Sequence, residues 1–262
     1  TWGHPVTTGS PAIDYFLSSE LSEPDKADAH YTERLVRVKN LATYYYRPQR
    51  PAARRTRTSF GLDPARHLYL CPQTLFKLHP EFDSILAEIL RRDPAGEIVL
   101  LECQQAYWMQ LVQRRFARTM PDVASRVRFL PAQRNADFLE LNATADVLLD
   151  TIHFGGGNTS YEGLALGVPI VTLPGEYLRG RITLALYRKM QVLDCVVASN
   201  EQYVEQAVRL GTDVDYRRMV TERIEAASDV LFEDLAEVRE LERALEWMHH
   251  GGRDPLGLTG CT

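Results

Sequence analysis

The 262-residue chain lacks most of the features that would fix its class at a glance. It has only four cysteines, Cys71, Cys103, Cys195 and Cys261, with no CxxC pair among them. A disulfide framework and a spaced zinc site are therefore disfavoured, and no metal is expected. Buried reduced thiols in a cytoplasmic protein are the simplest reading. No apolar run reaches the ~20 residues that a membrane helix needs, so no membrane partner is expected. Positive charge is not in excess: 30 Lys and Arg face 35 Asp and Glu, a net charge of −5. That balance argues against nucleic acid as a partner. The signatures HExxH, GxSxG and the Walker loop are missing. So is a GxGxxG turn after the first candidate strand of the main domain, which disfavours a dinucleotide dehydrogenase.

What remains is ordinary for a globular protein, with 45% hydrophobic and 25% charged residues. From about residue 66, short β-branched runs alternate with longer amphipathic ones. The predicted strands are His67–Cys71, Glu97–Glu102, Arg126–Leu130, Asp146–Asp150, Pro169–Leu173 and Asp194–Ala198. Between Pro80 and Arg92, the apolar residues Phe82, Ile85, Leu86, Ile89 and Leu90 share one helix face. Helices are also expected over Ala106–Met120, Arg134–Thr144, Thr159–Leu166, Glu176–Met190, Glu201–Leu210, Asp215–Leu231 and Leu235–His249. Val147-Leu148-Leu149 and Ile170-Val171-Thr172-Leu173 are nearly continuous apolar runs, as burial on both sheet faces requires. The fold class is α/β: a Rossmann-like, doubly wound parallel sheet.

Residues 61–250 form the main domain in this reading. Residues 1–60 hold too little for a domain of their own and read as a remnant of a preceding lobe plus a linker. A strand is expected near Ala12–Ser18, a short helix near Asp25–Leu35, and a solvated linker over Arg47–Arg57. The chain does not begin with Met, and Trp2 with the Gly3-His4-Pro5 turn reads like the middle of a fold, so a fragment is expected. Residues 251–262 lack periodicity and read as a disordered tail.

Ligands of a doubly wound sheet bind beyond the carboxyl ends of the strands, so the following turns carry the function. After Asp150 comes Gly155-Gly156-Gly157-Asn158-Thr159-Ser160. Glycines admit close backbone approach and positive φ, and a helix N-terminus attracts an anion such as a diphosphate. The same stretch contains a capping-box spacing, Thr159 to Glu162, which would serve only to start the helix. After Leu173, a Pro-Gly-Glu turn leads into a helix carrying Arg179 and Arg181. Lys77, in the turn after Cys71, is placed to neutralise a leaving diphosphate or else is a surface lysine. Phe138, after the turn at Gln133, either fills the core or stacks on a base.

The stretch ADVLLDTIHFGGGNTSYEGLALGVPIVTLPGEYLRGR, residues 145–181, resembles the catalytic region of the O-linked N-acetylglucosaminyltransferase family. This group includes plant SPINDLY-like proteins and bacterial members with tetratricopeptide repeats. PQTLFKLHP, WGHPVTTGSPAIDYF and YVEQAVRLGTDVDYR agree with it, and the likeness extends to about residue 250. The resemblance implies the C-terminal lobe of a GT-B glycosyltransferase. It also implies metal-independent, inverting transfer of a sugar, commonly from UDP-N-acetylglucosamine, to Ser or Thr of a protein or peptide acceptor. By position, Lys77 would be catalytic, contacting the donor diphosphate, with Gln73 or Thr74 supporting it. Gln133 and Phe138 would flank the base, and Gly156, Gly157, Asn158 and Thr159 the phosphates, with Arg181 a further cation. Glu162 would meet the ribose, while Gly3 and Pro5 would line the sugar pocket. Animal members have His-Thr-Thr at Gly157-Asn158-Thr159, and Lys and His at Asn135 and Phe138. An upstream lobe and repeats are implied as missing partners. Another sugar-nucleotide enzyme of the same fold, such as an epimerase or glycolipid transferase, and a non-catalytic nucleotide-sugar-binding fragment stay open.

Overall fold

The computed structural model describes residues 6–49, 54–102 and 105–252. Gly3 and Pro5, residues 50–53 of the expected linker and residues 253–262 of the expected tail lie outside the described residues.

A five-stranded parallel sheet forms the centre, with β3 (His67–Cys71), β4 (Gly96–Leu101), β5 (Val127–Leu130), β6 (Val147–Leu149) and β7 (Ile170–Val171). Its spatial order is β5-β4-β3-β6-β7. The chain works outward from β3 to one edge, then returns to β6 beside β3 and continues the other way. That reversal opens a crevice at the carboxyl ends of β3 and β6. The expected sixth strand contributes only one parallel bridge, Val196 beside Thr172.

The sheet is buried on both faces: Leu68, Tyr69, Leu70, Ile98, Val99, Leu100, Val147 and Leu149 are at most 1% exposed. Helix α1 (Phe82–Arg92) buries the apolar stripe set by its 3.6-residue period, with Phe82, Ile85, Leu86, Ile89 and Leu90 all enclosed. Around it lie α2 (Ala106–Thr119), α3 (Asn135–Thr144), α4 (Asn158–Ala165), α5 (Ile182–Met190), α6 (Asn200–Thr212) and α7 (Val214–Ala227). Side-chain caps start the later helices: Ser199 accepts from the Gln202 amide at α6, and Asp213 from the Tyr216 amide at α7. The expected helix from Glu176 starts only at Ile182, because 176–181 is spent on a turn that positions two arginines.

Strands β1 (Tyr15–Ser19) and β2 (Arg34–Val38) form a separate parallel pair. The helix expected over Asp25–Leu35 is a single 3-10 turn, Ala27–His30, followed by β2. Val36 and Val38 are β-branched, and pairing with β1 draws Arg34 and Leu35, the end of the expected helix, into the strand. Helix α8 (Leu235–His249) returns to this pair. Glu240 accepts from the Lys39 and Asn40 amides, and the Arg34 guanidinium lies 4.6 Å from the centre of the Trp247 ring.

Among its described residues the Arg-rich linker is largely exposed, with Gln49 and residues 54–56 open to solvent, and Arg55 and Arg57 anchor it. Arg57 donates to the carbonyl of Thr144, the last residue of α3, and pairs with Asp146 at 2.8 Å; Arg55 pairs with Asp137 at 2.9 Å. Arginine satisfies helix-terminal carbonyls and carboxylates that the sheet would otherwise leave bare.

Candidate functional site

The site begins with Asp150, 3% exposed at the carboxyl end of β6. Its carboxylate accepts from the Gly156 amide at 2.6 Å and the Thr172 hydroxyl at 2.8 Å, while Tyr203 donates to its backbone carbonyl at 2.8 Å. Burial pushes its carboxyl up, and the donated hydrogen bonds and Lys77 oppose that. These bonds fold the glycine turn back over the strand end.

Gly155 and Gly156 are needed for space. None of Gly155, Gly156 and Gly157 has a positive φ. A β-carbon on Gly155 would sit 2.9 Å from the Asp150 carboxylate, and one on Gly156 would run into Ser160 Oγ and sit 2.7 Å from Thr159 Oγ1 and 2.8 Å from Gln73 Nε2. Gly157 is the N-cap of α4 and no side chain caps this helix, so the Thr159–Glu162 capping box does not form. Thr159 instead accepts from Gln73 Nε2 at 2.6 Å.

The opposite wall is the turn after β3, where Leu75–Lys77 makes a 3-10 turn. Lys77 Nζ donates to the Gly155 carbonyl at 2.8 Å and to Gln73 Oε1 at 3.0 Å, and lies 4.4 Å from the centre of the Phe154 ring. Burial lowers its pKa, and Asp150 pulls it back up. The chain Lys77–Gln73–Thr159 thus ties the segment after β3 to the first turn of α4.

Between these walls lies a cavity of about 370 Å³, lined by Gln73, Thr74, Lys77, Gly155, Gly156, Gly157, Asn158, Thr159 and Arg179, with Phe76, Phe154, Pro72 and Ile182. It brings together two cations, a hydroxyl and a helix N-terminus whose first amides have no intrahelical acceptor. That chemistry suits a phosphorylated ligand. A larger cavity, about 690 Å³, lies against β1, β2 and α8. Glu20, Glu23, Asp25 and Asp28 line it beside Arg34 and Arg37, and these four carboxylates make it a poor seat for an anion.

The remaining expected residues lie elsewhere. Arg181 is not at the cavity; it donates to the carbonyls of Ser22 at 2.5 Å and Gly175 at 2.8 Å, bracing the β1–β2 unit. Arg179, two residues earlier, lines the cavity, and its Nε donates to the His153 carbonyl at 3.2 Å. The sequence held both arginines on one turn, and only the 3-10 geometry at Leu178–Gly180 separates them. Glu162 does not line the cavity and is half-buried on α4, where burial pushes its carboxyl up to about 7. Gln133 bonds back to the Pro131 carbonyl at 2.5 Å, and Phe138 is half-buried on α3; neither reaches the cavity. Beside the cavity, His79, Glu81 and His153 each place one potential ligand atom within 4.8 Å of the others. No sequence spacing flags this cluster, because it joins two turns far apart in the chain.

The sheet order, the crevice and the glycine turn before α4 define a Rossmann-like lobe of the GT-B glycosyltransferase class. Residues 37–240 match the profile of glycosyl transferase family 41, and the chain belongs to that family. It is similar to the probable UDP-N-acetylglucosamine–peptide N-acetylglucosaminyltransferase SEC of Arabidopsis thaliana, 28% identical over 97% of this chain and 27% of the relative. Its similarity to SPINDLY of Solanum lycopersicum is 29% identity over 82% of this chain and 23% of that protein. The chain therefore spans about a quarter of the length of these curated relatives. Among solved structures, a mutant of the Thermobaculum terrenum O-GlcNAc transferase superposes with a TM-score of 0.82 at 28% identity, over 94% of this chain and 46% of that one. The lipopolysaccharide glycosyltransferase WaaG shares the fold, with a TM-score of 0.57 at 20% identity over 92% of this chain and 64% of that one.

Proposed function

We propose that this chain is the donor-binding lobe of an inverting protein O-glycosyltransferase that uses UDP-N-acetylglucosamine. The observation that carries the reading is the convergence of Lys77, Arg179, Thr159 and the α4 N-terminus on one cavity. The named activity of the SEC and SPINDLY relatives supports the donor and the peptide acceptor.

In this reading the donor diphosphate lies against Gly156, Gly157, Asn158 and Thr159. An acceptor hydroxyl oxygen bonds to the anomeric carbon as the bond from that carbon to the diphosphate oxygen breaks. Lys77 neutralises the charge that grows on the leaving oxygen, and removing one such donor typically slows a reaction by roughly 10²–10³-fold. The cavity lining contains no carboxylate or imidazole among the described residues, so the hydroxyl proton goes to a group that this cavity does not supply. An upstream lobe, tetratricopeptide repeats that hold the acceptor and a cytoplasmic location belong to the same proposal. The relatives' greater length leaves room for such further segments.

The test is thermal unfolding of the chain with UDP, UDP-N-acetylglucosamine or GDP, paired with a label-transfer assay on the longer protein. A ligand at 100 times its Kd stabilises by about 2.7 kcal/mol, or roughly 5–10 °C at this size. We expect that rise with both uridine ligands and transfer to Ser or Thr by the longer protein. No shift with any of the three ligands would overturn the reading.

A further inference from the structure

His79 follows the turn that carries Lys77, Glu81 immediately precedes α1, and His153 sits in the turn after β6. Glu81 Oε2 lies 2.8 Å from His153 Nε2 and 3.8 Å from His79 Nδ1. The two imidazole rings are 4.7 Å apart, centre to centre, and nearly perpendicular at 79°. Two ring nitrogens thus converge on one carboxylate oxygen, where a single histidine would complete a hydrogen bond. All three side chains are exposed, so water can fill further coordination positions.

His153 is held with φ at +67°, in the left-handed region that non-glycine residues seldom adopt. Its carbonyl accepts from Arg179, and Thr151 Oγ1 donates to the Phe154 carbonyl at 2.6 Å, fixing the turn that aims the imidazole at Glu81. The Glu81 amide donates to His79 Nδ1 at 3.3 Å, a bond that gives way when that nitrogen ligates an ion.

We propose that His79, Glu81 and His153 form a site for a late first-row divalent cation such as zinc, nickel or cobalt at the rim of the cavity. Two imidazoles and one carboxylate match the preferences of these ions, whereas magnesium and calcium favour all-oxygen sets. The ion takes the place of the proton between His153 and Glu81 and leaves positions open for water. It cross-links the segment after β3 to the turn after β6, the two walls that carry Lys77 and Gly155. The site stands on its own geometry and does not depend on the ligand of the neighbouring cavity.

The test is titration of the metal-stripped chain with Co²⁺, followed by its visible ligand-field absorbance, with Zn²⁺ as competitor. The variants are His79→Ala, Glu81→Gln and His153→Asn; asparagine tolerates the left-handed backbone at 153, which keeps that turn intact. Thermal melts without metal, within a few degrees of wild type, establish that the variants fold. The expected result is one Co²⁺ per chain, displaced by Zn²⁺, unaffected by excess Mg²⁺, and bound at least tenfold more weakly by each histidine variant. Absence of absorbance at millimolar Co²⁺, or equal affinity in wild type and a His79→Ala/His153→Asn double variant, would overturn the proposal.

Discussion

Gln73 donates from Nε2 to Thr159 Oγ1 at 2.6 Å while its Oε1 accepts from Lys77 Nζ at 3.0 Å. One buried amide therefore spaces the cation on one wall of the cavity from the hydroxyl on the other. Gln73→Ala removes both bonds. We expect a loss of about 1–2 kcal/mol in stability, measured by urea unfolding, and a weaker grip on UDP because Lys77 and Thr159 are no longer held. Gln73→Glu, which keeps the length and reverses the donor, should hold Lys77 while leaving Thr159 without its donor.

Gly155 and Gly156 should respond differently to alanine. A β-carbon at Gly155 meets the buried Asp150 carboxylate, which the turn cannot move without breaking its bonds to Gly156 and Thr172. Overpacking of this kind costs about 1–3 kcal/mol, so Gly155→Ala should lower the melting temperature. At Gly156 the β-carbon meets the buried Ser160 Oγ first, and then Thr159 Oγ1 and Gln73 Nε2, which line the cavity. Gly156→Ala should therefore reduce UDP affinity more than Gly155→Ala does at equal stability loss. Calorimetry of the two variants checks the ordering.

The arginine pair separates site from scaffold. Arg179→Ala should weaken UDP binding and lower the melting temperature less than Arg181→Ala does, because the half-buried Arg179 gives up one long bond to the His153 carbonyl. Arg181→Ala should do the reverse, because it frees the Ser22 carbonyl that anchors the β1–β2 unit. Thermal melts and UDP titrations of both variants distinguish the roles.

Stability should depend on pH through Glu162. An ordinary glutamate titrates near 4.5, while burial raises this carboxyl to about 7 in the folded chain. Between those values the folded state holds a proton that the unfolded state has lost. The contribution is therefore fully present below pH 4.5 and disappears as the pH rises through 7. Relative to Glu162→Gln, the wild-type protein should lose stability steadily from pH 4.5 to 7, as measured by denaturant midpoints. Parallel midpoints for the two proteins across this window would contradict the assignment.

Much of the frame was legible because it rests on short-range pattern. The stripe Phe82, Ile85, Leu86, Ile89, Leu90 and the runs Val147–Leu149 and Ile170–Val171 announce their burial. Local pattern fails where tertiary pairing decides the outcome. The helix expected over Asp25–Leu35 runs into β2 at Arg34, because the partner strand β1 that draws Arg34 and Leu35 into the pair is not part of the local pattern. At the site, Lys77 and the glycine turn were visible as residues following strands. Their bond through Gln73 was not, since it depends on β3 and β6 being neighbours. Thr159 matched a capping spacing, but its hydroxyl goes to Gln73, which periodicity cannot register. The His79–Glu81–His153 cluster was hidden for the same reason: no local spacing joins residues from two different turns.

The central claim is that the cavity between these turns seats the diphosphate of a uridine nucleotide against Lys77. Isothermal titration of UDP into the wild-type chain and into Lys77→Ala tests it most directly. Loss of a charge-assisted bond is worth about 1.5–3 kcal/mol, so the account predicts saturable binding with a Kd that rises roughly ten- to a hundredfold in the variant. Equal affinity in the two proteins, with the variant folded, would contradict it.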